Sequence, residues 1–140
     1  MQLNITTDYA IRMVCTLGDG NTKTLDEIAE VTKIPRAYMG KLVRKLKAGG
    51  LLGSAMGPTG GVYLKRTLSE IRMSDIFVVM ELTMKINRCL EDDAYCSRNK
   101  SATCPVRKYY QYIQEKLETE YLAVSLEEII KGRRYTDSSK

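Results

Sequence analysis

Three cysteines share one polar stretch, in the spacing Cys89-x6-Cys96-x7-Cys104, while a fourth, Cys15, stands alone near the start. Thiolates grouped in this way can ligate a metal or undergo redox chemistry. The gaps are wider than the two-residue spacing by which successive thiolates meet one zinc ion. They suit a bulkier iron–sulfur cluster, whose corners lie several ångströms apart. Three redox-reactive thiols without metal are the alternative reading, and under either one Arg88, Arg98 and Lys100 nearby favour thiolate. Three thiolates also leave one iron without a Cys. The chain contains no His, which removes Ser/His/Asp and Cys/His hydrolase arrangements and every imidazole metal site. With no base and no convincing nucleophile, an enzyme is not expected.

The second chemistry is electrostatic. The formal charge is +5, and all of the excess lies in the first half: residues 1–69 hold ten Lys/Arg against five Asp/Glu, residues 70–140 twelve against twelve. Between Lys33 and Lys47 stand Lys33, Arg36, Lys41, Arg44, Lys45 and Lys47 with no acid among them. Such a block favours a polyanion as partner, the competing reading being a solvated helix face.

These residues need elements to hold them. Of the 140 residues, 44% are hydrophobic, enough for one domain and one core. Thr6 or Thr7 is expected to cap a first helix carrying Ala10, Met13, Val14 and Leu17 inward, with Cys15 off that stripe beside Ile11. Thr24 and Glu27 form a capping box for a short second helix. Pro35 opens a third helix that Gly49-Gly50 stops. Its inner stripe is Met39, Leu42, Val43 and Leu46, and Arg36, Ala37, Gly40, Lys41, Arg44 and Lys47 lie opposite, flanked by Lys45. A short helix, a tight turn and a basic second helix with small outward residues make helix-turn-helix geometry, whose second helix enters a major groove. Residues 51–56 and 62–65 read as strands joined by Gly57-Pro-Thr-Gly-Gly61, a hairpin wing fit to lie along a phosphate backbone or a minor groove. Ser74 is expected to cap a fourth helix with Ile76, Val79, Met80 and Thr83.

Residues 87–103 show no apolar period and need an external staple. After Pro105 a seam of Val106, Tyr110, Ile113, Leu117, Tyr121 and Val124 predicts a long helix that pairs with its counterpart in a second chain. The expected organisation is mainly α with a small β-hairpin wing. Its parts are a winged helix-turn-helix over 1–84, a cysteine-rich loop over 85–104, a dimerisation helix and short terminal helix over 105–130, and a flexible tail over 131–140. No segment approaches the about 20 apolar residues of a membrane span, and Met1-Gln-Leu-Asn-Ile does not read as a signal peptide. A cytoplasmic protein is expected, in which four Cys are not a disulfide framework.

Over nearly the whole chain the residues resemble the winged-helix iron–sulfur regulators typified by IscR and NsrR, the Rrf-two family. The resemblance rests on Thr7-Asp-Tyr-Ala-Ile-Arg12, Thr24-Leu-Asp-Glu-Ile-Ala29, Ile34-Pro-Arg-Ala-Tyr38, Leu42-Val-Arg-Lys-Leu46, Ala48-Gly-Gly-Leu51, Gly57-Pro-Thr-Gly-Gly-Val-Tyr63, Ile71-Arg-Met-Ser-Asp-Ile76 and the three spaced Cys. It implies a homodimeric transcription factor, usually a repressor, that binds a double-stranded DNA operator. The DNA contacts expected are Arg36, Ala37, Tyr38, Gly40, Lys41, Arg44, Lys45 and Lys47 in the recognition helix, and Thr59 and Gly60 in the wing. It further implies a 2Fe-2S or 4Fe-4S cluster on Cys89, Cys96 and Cys104, sensing oxygen, nitric oxide or iron–sulfur status. Some members take a His shortly after the third Cys as fourth ligand, and others a carboxylate from the first helix of the partner subunit. Arg107 stands where that His would fall, so Asp8 is the candidate, with Glu91, Asp92 and Asp93 as local competitors. Other members lack a working cluster and respond to a bound enzyme of cysteine metabolism; the alternative reading of this chain is the same DNA-binding dimer without a cluster, controlled by Cys oxidation or by such a partner. Many relatives insert an Arg from just before the wing Gly into a minor groove; this sequence has Met56 there, which shifts readout toward the recognition helix.

Overall fold

The structure, a computed structural model, describes residues 3–132, so the tail expected over 131–140 lies outside the described residues from position 133 onward. Helix α1 (Ile5–Thr16) begins earlier than its sequence predicts, because the Asn4 side chain accepts the Thr7 N–H at 2.8 Å and satisfies one orphan donor of the first turn. Thr7 is instead buried in the core. Helix α2 (Leu25–Thr32) starts on the expected capping box: the Glu27 N–H donates to Thr24 Oγ1 at 3.2 Å and the Thr24 N–H to Glu27 Oε2 at 2.7 Å. The Thr32 hydroxyl then folds back on the Ile28 carbonyl at 2.6 Å, and Lys33 takes the left-handed conformation that ends the helix. Ile34 is buried and Pro35 leads into α3 (Arg36–Ala48). A Cβ on Gly49 would meet Val79 Cγ2 at 2.4 Å, so only glycine lets the end of α3 pass this close to the next layer.

Strands β1 (Leu52–Ala55) and β2 (Gly61–Leu64) form the antiparallel wing, with Leu52 opposite Leu64 and Ala55 opposite Gly61. The wing has a further rung, on the outer side of β2, that local sequence does not signal. Lys23, in the link between α1 and α2, exchanges two backbone hydrogen bonds with Val62 at 2.9 and 2.8 Å. This ties the base of the hairpin to the entrance of the helix-turn-helix.

Helix α4 (Met73–Val79) starts just before Ser74, with Asp75 accepting the Arg72 N–H at 2.8 Å, and it ends before Thr83, which therefore lies off its stripe. Helix α5 (Pro105–Lys116) starts at Pro105 as expected. The long seam is interrupted by a π turn at Leu117–Tyr121, where the Leu122 N–H reaches the Leu117 carbonyl at 2.8 Å. Val106 and Tyr121 are exposed, Tyr110, Ile113 and Leu117 half-buried, and Val124 buried.

Beyond the turn the chain returns to the start of α4: the Met73 N–H bonds the Val124 carbonyl at 3.0 Å and the Leu126 N–H bonds the Ile71 carbonyl at 2.8 Å. Helix α6 (Leu126–Ile130) begins there on a Ser125–Glu128 capping box. The core joins Met13, Val14 and Leu17 of α1, Ile28 of α2, Met39, Leu42 and Leu46 of α3, Ile76 of α4 and Leu126 of α6. Each such side chain contributes about 1.5–3 kcal/mol by its burial, and together they fix which face of α3 points outward. No helix among the described residues is long and apolar enough to cross a membrane.

Candidate nucleic-acid interface and cysteine loop

Because Met39, Leu42 and Leu46 are buried, with Val43 beside them, the opposite side of α3 is turned to solvent. Arg36, Ala37, Tyr38, Gly40, Lys41, Arg44 and Lys47 are all exposed, which makes one continuous basic face. Small residues at 37 and 40 leave its centre low enough for close approach by a base edge. Three of the expected basic contacts are engaged within the protein. Lys45 is half-buried and its ammonium lies 2.9 Å from the Glu81 carboxylate, so it holds the end of α4 to α3. The same lysine keeps the Glu81 carboxyl below the usual carboxylate range. Lys47 donates to Ser54 Oγ at 2.8 Å and so fixes β1 against the recognition helix. Arg36 sits 3.4 Å from Asp26 of α2. Arg44 forms no ion pair among the described residues. In the wing, Thr59 is exposed and Gly60 half-buried.

The three clustered cysteines are free thiols, each half-buried. Among the described residues no three Cys, Asp, Glu or His side chains stand close enough together to hold a metal ion. The loop is nevertheless stapled, and by polar side chains rather than by apolar packing. Gln114 of α5 is buried, accepting the Ile86 N–H at 2.9 Å and donating to the Met84 carbonyl at 2.8 Å and to Glu118 Oε1 at 2.7 Å. Lys85 meets the same Glu118 oxygen at 2.9 Å, and the lysine first, then Gln114, holds that carboxyl below its usual range. At the other end, Arg107 Nε donates to the Cys89 carbonyl at 2.9 Å, while the Arg107 N–H reaches Cys104 Sγ at 3.4 Å. Cys104 is thus the N-cap of α5, and Arg107 connects the first and third cysteines through one residue.

Cys96 sits on a turn whose backbone N–H groups, those of Lys100 and then Arg98 above all, hold its thiol pKa below the ordinary value, with the Arg98 charge adding to the effect. Arg88, expected to act on a thiol, is occupied by a two-point ion pair with Asp93. Cys15 differs in kind: it lies off the fully buried stripe and beside Ile11, as expected, partly buried against the edge of the core, and burial raises its pKa.

Of the candidate fourth ligands, Glu91 accepts the Thr83 hydroxyl at 2.6 Å and Asp93 is paired to Arg88. Asp8, on the first turn of α1, lies 2.7 Å from Arg12 in an ion pair about half exposed on both sides. Gln114 and Lys85 are the functional residues that sequence reasoning misses. A Gln among the tyrosines and charged residues of α5, one of two there, reads as surface until its loop partners are known. Gln114→Leu should cost about 2 kcal/mol in urea unfolding, since it leaves a backbone N–H and C=O unpaired beneath the loop. Faster amide exchange at Ile86 would accompany that loss, and stability within error of wild type would refute the staple.

A helix-turn-helix closed by a two-stranded hairpin is a winged-helix fold. The chain belongs to the Rrf2 family, whose model, described as an iron-dependent transcriptional regulator, matches residues 3–132. It is 26% identical over 106 residues to a protein of Aquifex aeolicus described as an HTH-type transcriptional regulator, an alignment that covers 76% of this chain and 74% of that one. Among solved structures, CymR (YrzC), the global cysteine regulator of B. subtilis, is similar with a TM-score of 0.69 at 21% identity, covering 94% of this chain and 98% of that one. IscR of T. potens is similar with a TM-score of 0.61 at 22% identity, covering 100% and 93%. The mainly helical fold with a two-stranded wing, expected from the sequence, is therefore the fold of this family, and its members are transcriptional regulators.

Proposed function

We propose that the protein is a homodimeric repressor that binds a pseudo-palindromic DNA operator through the outer face of α3 and the wing, with its affinity set by an iron–sulfur cluster. The continuous exposed basic face of α3 carries the DNA part of this reading. Arg36, Lys41 and Arg44 serve as phosphate contacts, Ala37, Tyr38 and Gly40 line the approach to base edges, and Thr59 and Gly60 meet the backbone at the wing. Lys45 and Lys47 act indirectly, by holding α4 and β1 in place. The exposed Val106, Tyr109 and Tyr112 of α5 and Tyr121 of the π turn after it form an apolar surface, suited to the same surface of a second chain in a two-fold dimer.

The donor set fits a cluster: three free thiols on one loop, one with a lowered pKa and one at a helix N-terminus, where thiolate is favoured. Cys89, Cys96 and Cys104 would hold it, with Asp8 of the partner subunit as fourth ligand, and the family description as iron-dependent supports this assignment. A bound cluster, 2Fe-2S or 4Fe-4S, would supply iron that reacts with oxygen or nitric oxide. The chain's part is to bring the three thiols together, and the Gln114 and Arg107 staples then pass the state of the loop to α5. A metal-free dimer, governed by thiol oxidation or by a protein partner, is the second reading. It is favoured by the separation of the ligands in the single chain and by the likeness to CymR, named as a cysteine regulator.

Anaerobic purification with iron and sulfide counts, followed by binding to duplexes selected from random sequence, tests both parts. Serine at position 89, 96 or 104 should deplete iron while Cys15→Ser does not; equal iron in all four would favour the metal-free reading. Arg44→Ala should weaken binding about tenfold and flatten the salt dependence of log K by about 0.9. Failure to enrich any duplex would overturn the DNA reading.

A further inference from the structure

Between the segment 85–90 and α5 lies a cavity of about 210 Å³ that neither the recognition helix nor the thiols use. Leu90 walls it on the loop side, while Arg107, Gln111, Gln114, Glu115 and Glu118 reach it from α5 and the π turn that follows. π turns inside helices recur at functional sites. Here the turn supplies Glu118, which Lys85 and Gln114 already hold.

Two charged groups in the same cavity are not held. Arg107 is half-buried, and of the five guanidinium N–H donors only the one on Nε is taken among the described residues, by the Cys89 carbonyl. Neither Arg107 nor Glu115 forms an ion pair among the described residues. A guanidinium partly withdrawn from water, with donors unused, attracts a carboxylate through charge-assisted hydrogen bonds, and an unpaired carboxylate attracts an ammonium in the same way.

Spacing selects the ligand. Arg107 and Glu115 are eight residues apart, about 12 Å along the helix axis, which keeps them from pairing with each other. A ligand that bonds both at about 2.8 Å must therefore keep its own positive and negative ends about 6 Å apart. An α-amino acid, with both charges on one carbon, is too short. A linear molecule such as 5-aminovalerate has the length, Leu90 covers its methylenes, and Gln111 stands one turn from each charged end. The exposed Val106, Tyr109 and Tyr112 lie on the opposite face of α5 at about 100° per residue, so two chains that pair through them leave the cavity open.

We propose that this cavity is a regulatory site for a short linear ω-amino acid, its carboxylate on Arg107 and its ammonium on Glu115. Arg107 also bonds the Cys89 carbonyl, and its backbone N–H bonds Cys104 Sγ. A ligand that fixes this residue therefore fixes both ends of the cysteine loop. The site requires neither DNA nor a cluster and stands independently of the function proposed above.

The test titrates the full-length protein by calorimetry with 5-aminovalerate, and with valerate and pentylamine, which have the same length and one charge each. 5-Aminovalerate should bind one molecule per chain at least about tenfold more tightly than either, since each lost charge-assisted bond costs that much or more. Glycine should bind no better than the singly charged pair. Bound 5-aminovalerate should also slow amide exchange across residues 86–90 and 105–108 about tenfold. Glu115→Gln, which removes no ion pair among the described residues, should unfold in urea like wild type yet bind 5-aminovalerate about tenfold more weakly. Glu115→Lys should invert the choice and prefer glutarate, which carries a carboxylate at each end. Equal affinity for 5-aminovalerate and valerate would reduce the cavity to an anion site and overturn the proposal. Wild-type affinity in Glu115→Gln, or a Glu115→Lys variant that still prefers 5-aminovalerate, would overturn it too. Binding with loop exchange unchanged would overturn the link to the cysteines.

Discussion

Gly61→Ala should lower stability by about 3–5 kcal/mol and the midpoint of thermal unfolding by about 10 °C or more. Three costs combine. The residue has φ +153°, where an L side chain is strained by about 1–3 kcal/mol. The new Cβ would stand 2.2 Å from the Lys23 carbonyl oxygen and 2.6 Å from its carbon, both backbone atoms that no rotamer change can move. Relief therefore requires breaking the Lys23–Val62 rung, at about 1 kcal/mol for each of its two hydrogen bonds. The damage would also spread, because Thr24, next to Lys23, is the N-cap of α2. Gly57→Ala is the control: its φ is +101° but nothing lies within 4 Å of the added Cβ, so it should show strain of about 1 kcal/mol and no more. Should Gly61→Ala unfold within 1 kcal/mol of wild type, the rung is not what holds the wing to the helix-turn-helix.

That rung also shows what sequence reading can reach. The capping box at Thr24, the proline before α3, the glycines after it and the buried stripe of Met39, Leu42 and Leu46 are local signals. Each is set by residues within one or two turns of each other, and each appears in the structure near where the pattern predicts it. The misses share a different cause. Lys23 with Val62, Lys45 with Glu81 and Gln114 with Ile86 join positions far apart in sequence, and no periodicity marks a partner that distant. The cap of α1 fell to Asn4 rather than Thr6 or Thr7 because three neighbouring side chains compete and geometry decides among them. The seam after Pro105 was legible as helix, but its break at Leu117 was not, since a π turn leaves the apolar spacing almost unchanged. Within the site, charge predicted the basic face correctly as a face. It could not separate Arg44, which forms no ion pair among the described residues, from Lys45, which is committed to Glu81.

A heterodimer carrying Asp8→Ala in one subunit and Cys96→Ser in the other should keep half of the wild-type cluster absorption if Asp8 is the proposed fourth ligand across the dimer. Ligation in trans leaves one of its two sites whole and the other doubly damaged, whereas ligation in cis damages both sites once. The structure makes the carboxylate available at little cost, because its only ion pair among the described residues, with Arg12, is about half exposed and worth about 0.5 kcal/mol after solvent screening. It also indicates what the release of Arg12 would touch. That guanidinium donates to the Thr32 carbonyl at 3.3 Å, at the turn before α3, and lies 5.4 Å over the Tyr9 ring. Tyr9 in turn packs edge-on against Tyr38 in the first turn of α3, with ring centres 5.2 Å apart. Moving Asp8 off Arg12 would therefore loosen contacts at both the turn and the start of the recognition helix, and Asp8→Ala homodimers should show altered DNA affinity even when prepared without iron. A hard carboxylate holds iron less firmly than thiolate, so the Asp8→Ala homodimer should retain thiolate-bound iron with a changed spectrum and faster loss in air. Absence of the half-occupancy spectrum from a verified heterodimer would assign the fourth ligand elsewhere and leave Asp8 as the partner of Arg12 alone.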